Sequence, residues 1–383
     1  MRNFIALVVF AMFFGIAFTA RNKGTDSVSQ PLTIPPHVAP ENPPRPAAMM
    51  VSTTISRFSV ELPVPASDIG HENEVWVFLP TGGASKANQD SESSISKYPC
   101  LIYTSAGAPN FGGMRLSPSD QTFILPYVQM GFAVVCYETD GAIDLTDKTT
   151  PEEMARAADL YIRSSAGLVN ARNAIHFALE RFPEIDSDRL FTLGHSSGGK
   201  QALLLAANEP RIKGCVTFAP STQLGFVERI GIGQIPSKTR DLAGEVERFM
   251  PASNADRLTA SLLILYTPKD DVVRQSELKS FARKVGDNAN LVEVNARGHF
   301  DLPDEGFRHA SRWLAKQADL PALPDQVIAN PLSAEKKSPT VNKPAPAPTA
   351  ERVRSSQPSQ PKIQKVRTSP RKSGQPQQNP YFQ

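Results

Sequence analysis

Apolar residues along this chain gather in short unbroken runs separated by stretches with helical spacing. Cys100-Leu-Ile-Tyr-Thr104, Phe132-Ala-Val-Val-Cys136, Leu190 to Leu193, Ile212 to Phe218, Leu262 to Tyr266 and Leu291 to Val294 are the runs. None alternates between apolar and polar residues, so each predicts a strand buried on both faces. Between them, helical patterns cover Gln121 to Met130, Thr150 to about Phe182 with one Gly interruption, Gln201 to Ala207, Asp241 to Phe249, Gln275 to Val285 and Glu305 to about Lys316. Thr150 as N-cap, Pro151 at the first helical position and Glu153 closing a capping box mark where the second of these starts. Earlier in the chain, Ile55, Phe58, Val60 and Leu62, then Glu74 to Leu79, read as an antiparallel pair. Strands that alternate with helices predict an α/β fold, with a mostly parallel twisted sheet of about eight strands covered by helices on both faces.

The ends break this pattern. Met1-Arg2-Asn3, an apolar stretch from Phe4 to Phe18 and then Thr19-Ala20-Arg21 describe a secretory signal peptide or N-terminal anchor over residues 1–20, and hence an exported protein. Prolines crowd residues 21–52, which read as an extended linker, so ordered structure is expected from about Thr53 to Leu320. Residues 321–383 carry ten Lys or Arg against three Asp or Glu and predict a disordered basic tail. Such an arm is either an inert spacer or a contact for envelope or membrane surface, as the N-terminal segment is too. Its basic residues have no aromatic interleaving before Tyr381 and Phe382, which argues against nucleic acid as a partner. The three cysteines, Cys100, Cys136 and Cys215, all fall inside predicted strands and read as small buried core residues rather than disulfides or metal ligands.

The stretch with chemistry in it is Leu190-Phe-Thr-Leu-Gly-His-Ser-Ser-Gly-Gly199, where a strand runs through Gly194-His195-Ser196-Ser197-Gly198 straight into a helix. This is the G-x-S-x-G elbow in its strand-turn-helix context. A serine held on so tight a turn leaves no room for side chains two residues either side, hence glycine at 194 and 198. Ser196 is the candidate nucleophile, and the backbone N–H of Ser197, at the helix start, is a candidate oxyanion donor. On that reading only the backbone of Ser197 is needed, and Ser197→Ala is expected to keep most activity.

A serine hydroxyl needs a base oriented by a carboxylate. With the order Ser, Asp or Glu, His, each after a later strand, His299 is the candidate base, because it alone among the histidines follows the last strand in a loop. His37, His71, His176 and His309 lie elsewhere, and His195 inside the elbow reads as flanking the site. Asp270 is the chosen acid, Asp271 second, with Glu138 and Asp140 after an earlier strand as outside candidates. The second oxyanion donor is expected from the small-residue loop Ser105 to Ala108, at the N–H of Ala106 or Gly107. Loops at Glu138 to Lys148 and Ala219 to Lys238 are expected to wall the site. In the second of these, Leu224, Phe226, Ile230 and Ile232 either line an acyl pocket or anchor the loop.

From about residue 53 to 317 the chain resembles an α/β-hydrolase domain. Asp186-Ser-Asp-Arg-Leu-Phe-Thr-Leu-Gly-His-Ser-Ser-Gly-Gly199 and Pro268-Lys-Asp-Asp-Val-Val273 are similar to the catalytic domains of prolyl oligopeptidases and to dienelactone-hydrolase-like esterases. The resemblance implies that the first Asp of the Asp-Asp-x-Val pattern, Asp270, is the acid and that Gly298-His299 carries the base. Two departures stand out: with the residues before Thr53 read as signal and linker no propeller is expected ahead of the domain, and Ser105-Ala106 replaces the His-Gly of many relatives. The function expected is an exported serine hydrolase that cleaves a small-molecule carboxylic ester with no metal or organic cofactor. The alternatives are a peptidase of small peptides and a non-catalytic envelope-binding protein on the same fold.

Overall fold

Strands β1 (Met49–Ser52), β2 (Ile55–Pro63), β3 (Glu72–Pro80), β4 (Tyr98–Tyr103), β5 (Ala133–Tyr137), β6 (Ile185–His195), β7 (Ile212–Phe218), β8 (Ser261–Tyr266) and β9 (Ala289–Glu293) form one sheet in the computed structural model. The structure describes residues 32, 42–63, 72–81 and 97–321, so the apolar segment at 1–20, most of the proline-rich segment, His37, His71 and the basic tail lie outside the described residues. Strand order is β1-β2-β3-β5-β4-β6-β7-β8-β9. The pairs β1/β2, β2/β3 and β3/β5 are antiparallel and the rest parallel.

The unbroken apolar runs are central strands because both of their faces are covered. Consecutive residues of β6 show it. Thr192 Oγ1 donates to the carbonyl of Ala202 in helix α4 (Ser196–Asn208). Phe191 turns the other way, beside Gly214, against which Trp313 of α8 (Leu302–Gln317) packs. Helix α1 (Pro118–Gln129) shares the α8 face, with Tyr127 edge-on to Phe307 at 5.2 Å. The long helical stretch after Thr150 is two helices, α2 (Pro151–Arg163) and α3 (Leu168–Arg181), parted at Gly167, and the Thr150–Glu153 capping box is formed. Cys100 and Cys136 lie on adjacent strands, paired with Ala133 and Tyr103 respectively, so they sit at opposite ends of the β4/β5 ladder. All three cysteines are free and buried.

Two expectations need correction. Order begins before Thr53: β1 adds an edge strand, and residues ahead of it are fastened to α3. Arg181 donates to the carbonyls of Asn42 and Pro43, Asn42 donates to Glu180, and Arg45 pairs with Glu184 while its guanidinium lies over Phe58 and Phe182. The connection from Ala219 to Thr259 holds more than one helix. Besides α6 (Leu242–Arg248) and a 3₁₀ turn at Pro251–Arg257, it contains α5 (Phe226–Gly233). Gly225, Gly231 and Gly233 weaken its helical signature. Helix α5 is held instead by tertiary contacts: Ile232 is fully buried, Glu228 bonds to Asn110 and Arg229 pairs with Glu247. Helix α7 (Gln275–Val285) packs against β9.

The connection from β4 leads to β5 on one side, whereas that from β6 leads to β7 on the other. The C-terminal ends of β4 and β6 are therefore a topological switch point, and the crevice outside such strand ends is where open α/β sheets bind their ligands.

Candidate active site

At that crevice β6 ends on His195 and α4 begins on Ser196, with no residue between. Ser196 has φ 53°, a left-handed conformation that a side chain rarely adopts and that the surrounding packing must enforce. The two glycines of the motif allow it. A Cβ at 194 would stand 2.2 Å from the carbonyl oxygen of Gly198, and one at 198 would stand 2.7 Å from that of Thr104. His195 gives no side-chain cap to α4, so the first N–H groups of the helix, that of Ser197 among them, carry its positive dipole end.

Strands β8 and β9 lie beyond β7, and their C-terminal loops bring up the other two groups. His299 Nδ1 and Asp270 Oδ2 are 2.8 Å apart, and both side chains are 2% exposed. Asp270 Oδ1 accepts N–H bonds from Val272 and Val273, each 2.8 Å, so the aspartate is clamped by its own loop and presents its second oxygen to the imidazole. Burial alone would push this carboxyl up. The hydrogen bond and charge of His299 and the two loop N–H groups outweigh it and hold the carboxyl below its ordinary value. With Nδ1 donating to Asp270, Nε2 is the basic nitrogen of the ring.

His195 ties this pair to the elbow. Its ring lies 4.6 Å from that of His299, and its Nε2 donates to the His299 carbonyl at 3.1 Å. Burial, and then the neighbouring His299, push its pKa down to about 3, so it remains neutral and packs rather than titrates near neutrality. The residue just before Ser196 is thereby bonded to the His299 backbone.

The remaining sequence candidates are placed as follows. Asp271 is exposed. Glu138 accepts the N–H groups of Glu74 and Leu116, one on each oxygen, and Asp140 is buried with Oδ1 accepting from Asn73, so both acids brace the β3/β5 side of the sheet. The loop after β4 differs from expectation. The Gly107 N–H is not open to a substrate, because it and the Ala108 N–H both donate to Ser197 Oγ, at 2.8 and 3.0 Å. The Ala106 N–H is not one of the two that Ser197 holds. Of the apolar residues in the loop after β7, Ile232 is buried and Leu224 half-buried against a small apolar cluster that includes Phe111, Ala158, Leu242 and Val246, whereas Phe226 and Ile230 on α5 are exposed.

One polar cluster beside the elbow was not read from the sequence. Lys200, one turn into α4 and 1% exposed, reaches the Asn110 carbonyl at 3.4 Å and lies over the Tyr161 ring. The Asn110 amide in turn donates to Glu228 of α5 at 2.7 Å and to Ser221 Oγ at 3.4 Å. A lysine immediately ahead of the mostly apolar run Gln201 to Ala207 is the only signal in the sequence.

Among solved structures, an acetyl xylan esterase from Paenibacillus sp. R4 aligns with 72% of this chain and 88% of its own at TM-score 0.51 and 17% identity. The chain has the α/β-hydrolase fold. The same fold relates it to the Pyrococcus horikoshii acylaminoacyl peptidase (TM-score 0.51, 11% identity, 72% of this chain and 44% of that one). A Mycobacterium tuberculosis puromycin-hydrolyzing peptidase is similar at TM-score 0.50 and 17% identity, over 68% of this chain and 40% of that one. This hydrolase-fold chain thus spans less than half of either peptidase. No family model matches it, and no curated protein does.

Proposed function

We propose that this chain is a serine hydrolase that cleaves carboxylic esters through an acyl-Ser196 intermediate. The observation that carries the reading is the buried His299–Asp270 pair, clamped by the Val272 and Val273 N–H groups at the strand ends where Ser196 stands on its left-handed turn. In this reading His299 Nε2 takes the Ser196 proton as Oγ attacks the ester carbonyl, and the carbonyl electron pair moves onto oxygen. Asp270 orients the ring and stabilises the imidazolium. Collapse expels the alkoxide, which leaves as the alcohol with the proton from His299, and water repeats the sequence on the acyl-enzyme. The Ser197 N–H at the α4 start supports the oxyanion.

Ester preference is supported by the acetyl xylan esterase, most of whose chain is matched. The two peptidase neighbours favour a second reading, hydrolysis of small peptides, by the same three groups. The apolar Phe4 to Phe18 segment supports export, and the basic excess of residues 321–383 supports contact with an anionic envelope surface.

A fluorophosphonate probe tests the reading. Wild-type protein is expected to be labelled on Ser196, and Ser196→Ala to lose the label together with about 10⁶-fold of turnover. Label on another residue, or none, overturns it. Aryl esters of rising acyl length beside aminoacyl anilides separate esterase from peptidase.

A further inference from the structure

Ser197 Oγ accepts two N–H bonds, from Gly107 at 2.8 Å and Ala108 at 3.0 Å. A hydroxyl has two lone pairs and one proton. With both lone pairs engaged, the only capacity left is to donate, and no acceptor for this proton stands among the described residues. The residue is 6% exposed, follows Ser196 directly, and its side chain joins the elbow to the loop after β4. Two N–H groups directed at one oxygen also polarise its O–H bond and strengthen it as a donor. The loop N–H groups that would ordinarily face a reacting carbonyl are here one step removed, with a hydroxyl interposed.

We propose that the Ser197 side chain is itself a catalytic residue, its hydroxyl donating the second hydrogen bond to the substrate oxyanion while Gly107 and Ala108 hold it in place. The inference rests on the serine-hydrolase reading and deepens it. Backbone N–H and side-chain O–H of one residue would then grip the same oxygen, and the expectation that Ser197→Ala keeps most activity is reversed.

The test uses the full chain. A crystal structure of the Ser196 fluorophosphonate adduct places a tetrahedral phosphonyl oxygen where the oxyanion forms. The expected result is that oxygen within about 3 Å of Ser197 Oγ, at ordinary O–H···O distance. An oxygen held by the Ala106, Gly107 or Ala108 N–H, with Ser197 turned away, overturns the proposal. Kinetics supply the second arm through Ser197→Thr and Ser197→Val, which differ by a hydroxyl against a methyl. Val is expected to lose about 10²- to 10³-fold in kcat relative to Thr with KM little changed, the size of one oxyanion donor. Equal kcat in the two, or a faster Ser197→Ala, overturns it even if the adduct does not crystallise. Should the wild type fail to label at Ser196, the functional reading and this inference fall together. Normal labelling with an indifferent Ser197 sinks the inference alone.

Discussion

Asp270 and Glu138 each sit just past the C-terminal end of a strand, and each accepts two backbone N–H bonds. They differ in where those bonds fall. Both of the Asp270 bonds land on Oδ1, which leaves Oδ2 for His299. Those of Glu138 are divided between Oε1 and Oε2, so both oxygens are tied to backbone, and neither has a histidine partner among the described residues. The electrostatics follow: burial pushes both carboxyls up, but only Asp270 has a histidine partner to bring it back below its ordinary value, while Glu138 stays raised. A carboxylate can thus orient a base at one strand end and serve as a splice between strands at another. The distinction is drawn by the distribution of acceptor oxygens rather than by residue type.

The sharpest way to break this comparison is at Asp270. Asp270→Asn keeps the shape but removes the acceptor that fixes the His299 tautomer, and ester turnover is expected to fall by about 10⁴, the loss known for the equivalent change in the serine-protease template. If Glu138→Gln, and not Asp270→Asn, abolishes turnover, the roles are reversed.

Acid titration of stability comes next. His195, pushed down to about 3, and Asp270, held below its ordinary 3.8, both bind protons less readily folded than unfolded. The contribution of His195 is complete above its ordinary 6.5 and is lost as pH falls toward 3. That of Asp270 goes lower still. Glu138 has the opposite sign: its ionised form is disfavoured in the folded chain, so its penalty appears as pH rises past the ordinary 4.5. Urea midpoints at pH 7 and pH 4 should therefore differ more for wild type than for His195→Gln. Parallel losses in the two proteins would contradict the buried neutral state of His195.

A smaller effect is expected at Glu138 itself. Glu138→Gln leaves one of the Glu74 and Leu116 N–H groups facing an amide NH₂, a loss of about 1 kcal/mol in denaturation, with turnover within about threefold. Smallest of all, Asp271→Asn alters an exposed side chain and should stay within about 0.5 kcal/mol in stability, with turnover nearly unchanged.

Much of this was readable from the chain because the physics involved is local. The elbow announces itself through Gly194 and Gly198, each of which faces a carbonyl oxygen closer than any Cβ could tolerate. Unbroken apolar runs gave β4 to β8 because both faces of those strands are covered. What escaped depended on distant partners. Helix α5 is glycine-rich and stands through Ile232, Glu228 and Arg229, whose partners lie in other segments. Strand β1 follows a proline cluster and exists by pairing with β2. The engagement of Gly107 by Ser197 is a contact across 90 residues, set by one side-chain rotamer, and no periodicity encodes it.

The fastening of residues 42–45 sets how the domain can be held. Asn42 and Arg45 meet Glu180 and Glu184 at the end of α3, just where β6 begins. Arg189, early in β6, donates to the carbonyls of Ala318, after α8, and of Lys97, before β4. Both fastenings therefore lie at the N-terminal edge of the parallel strands, the edge opposite Ser196, Asp270 and His299, so a hold taken there leaves those three residues clear.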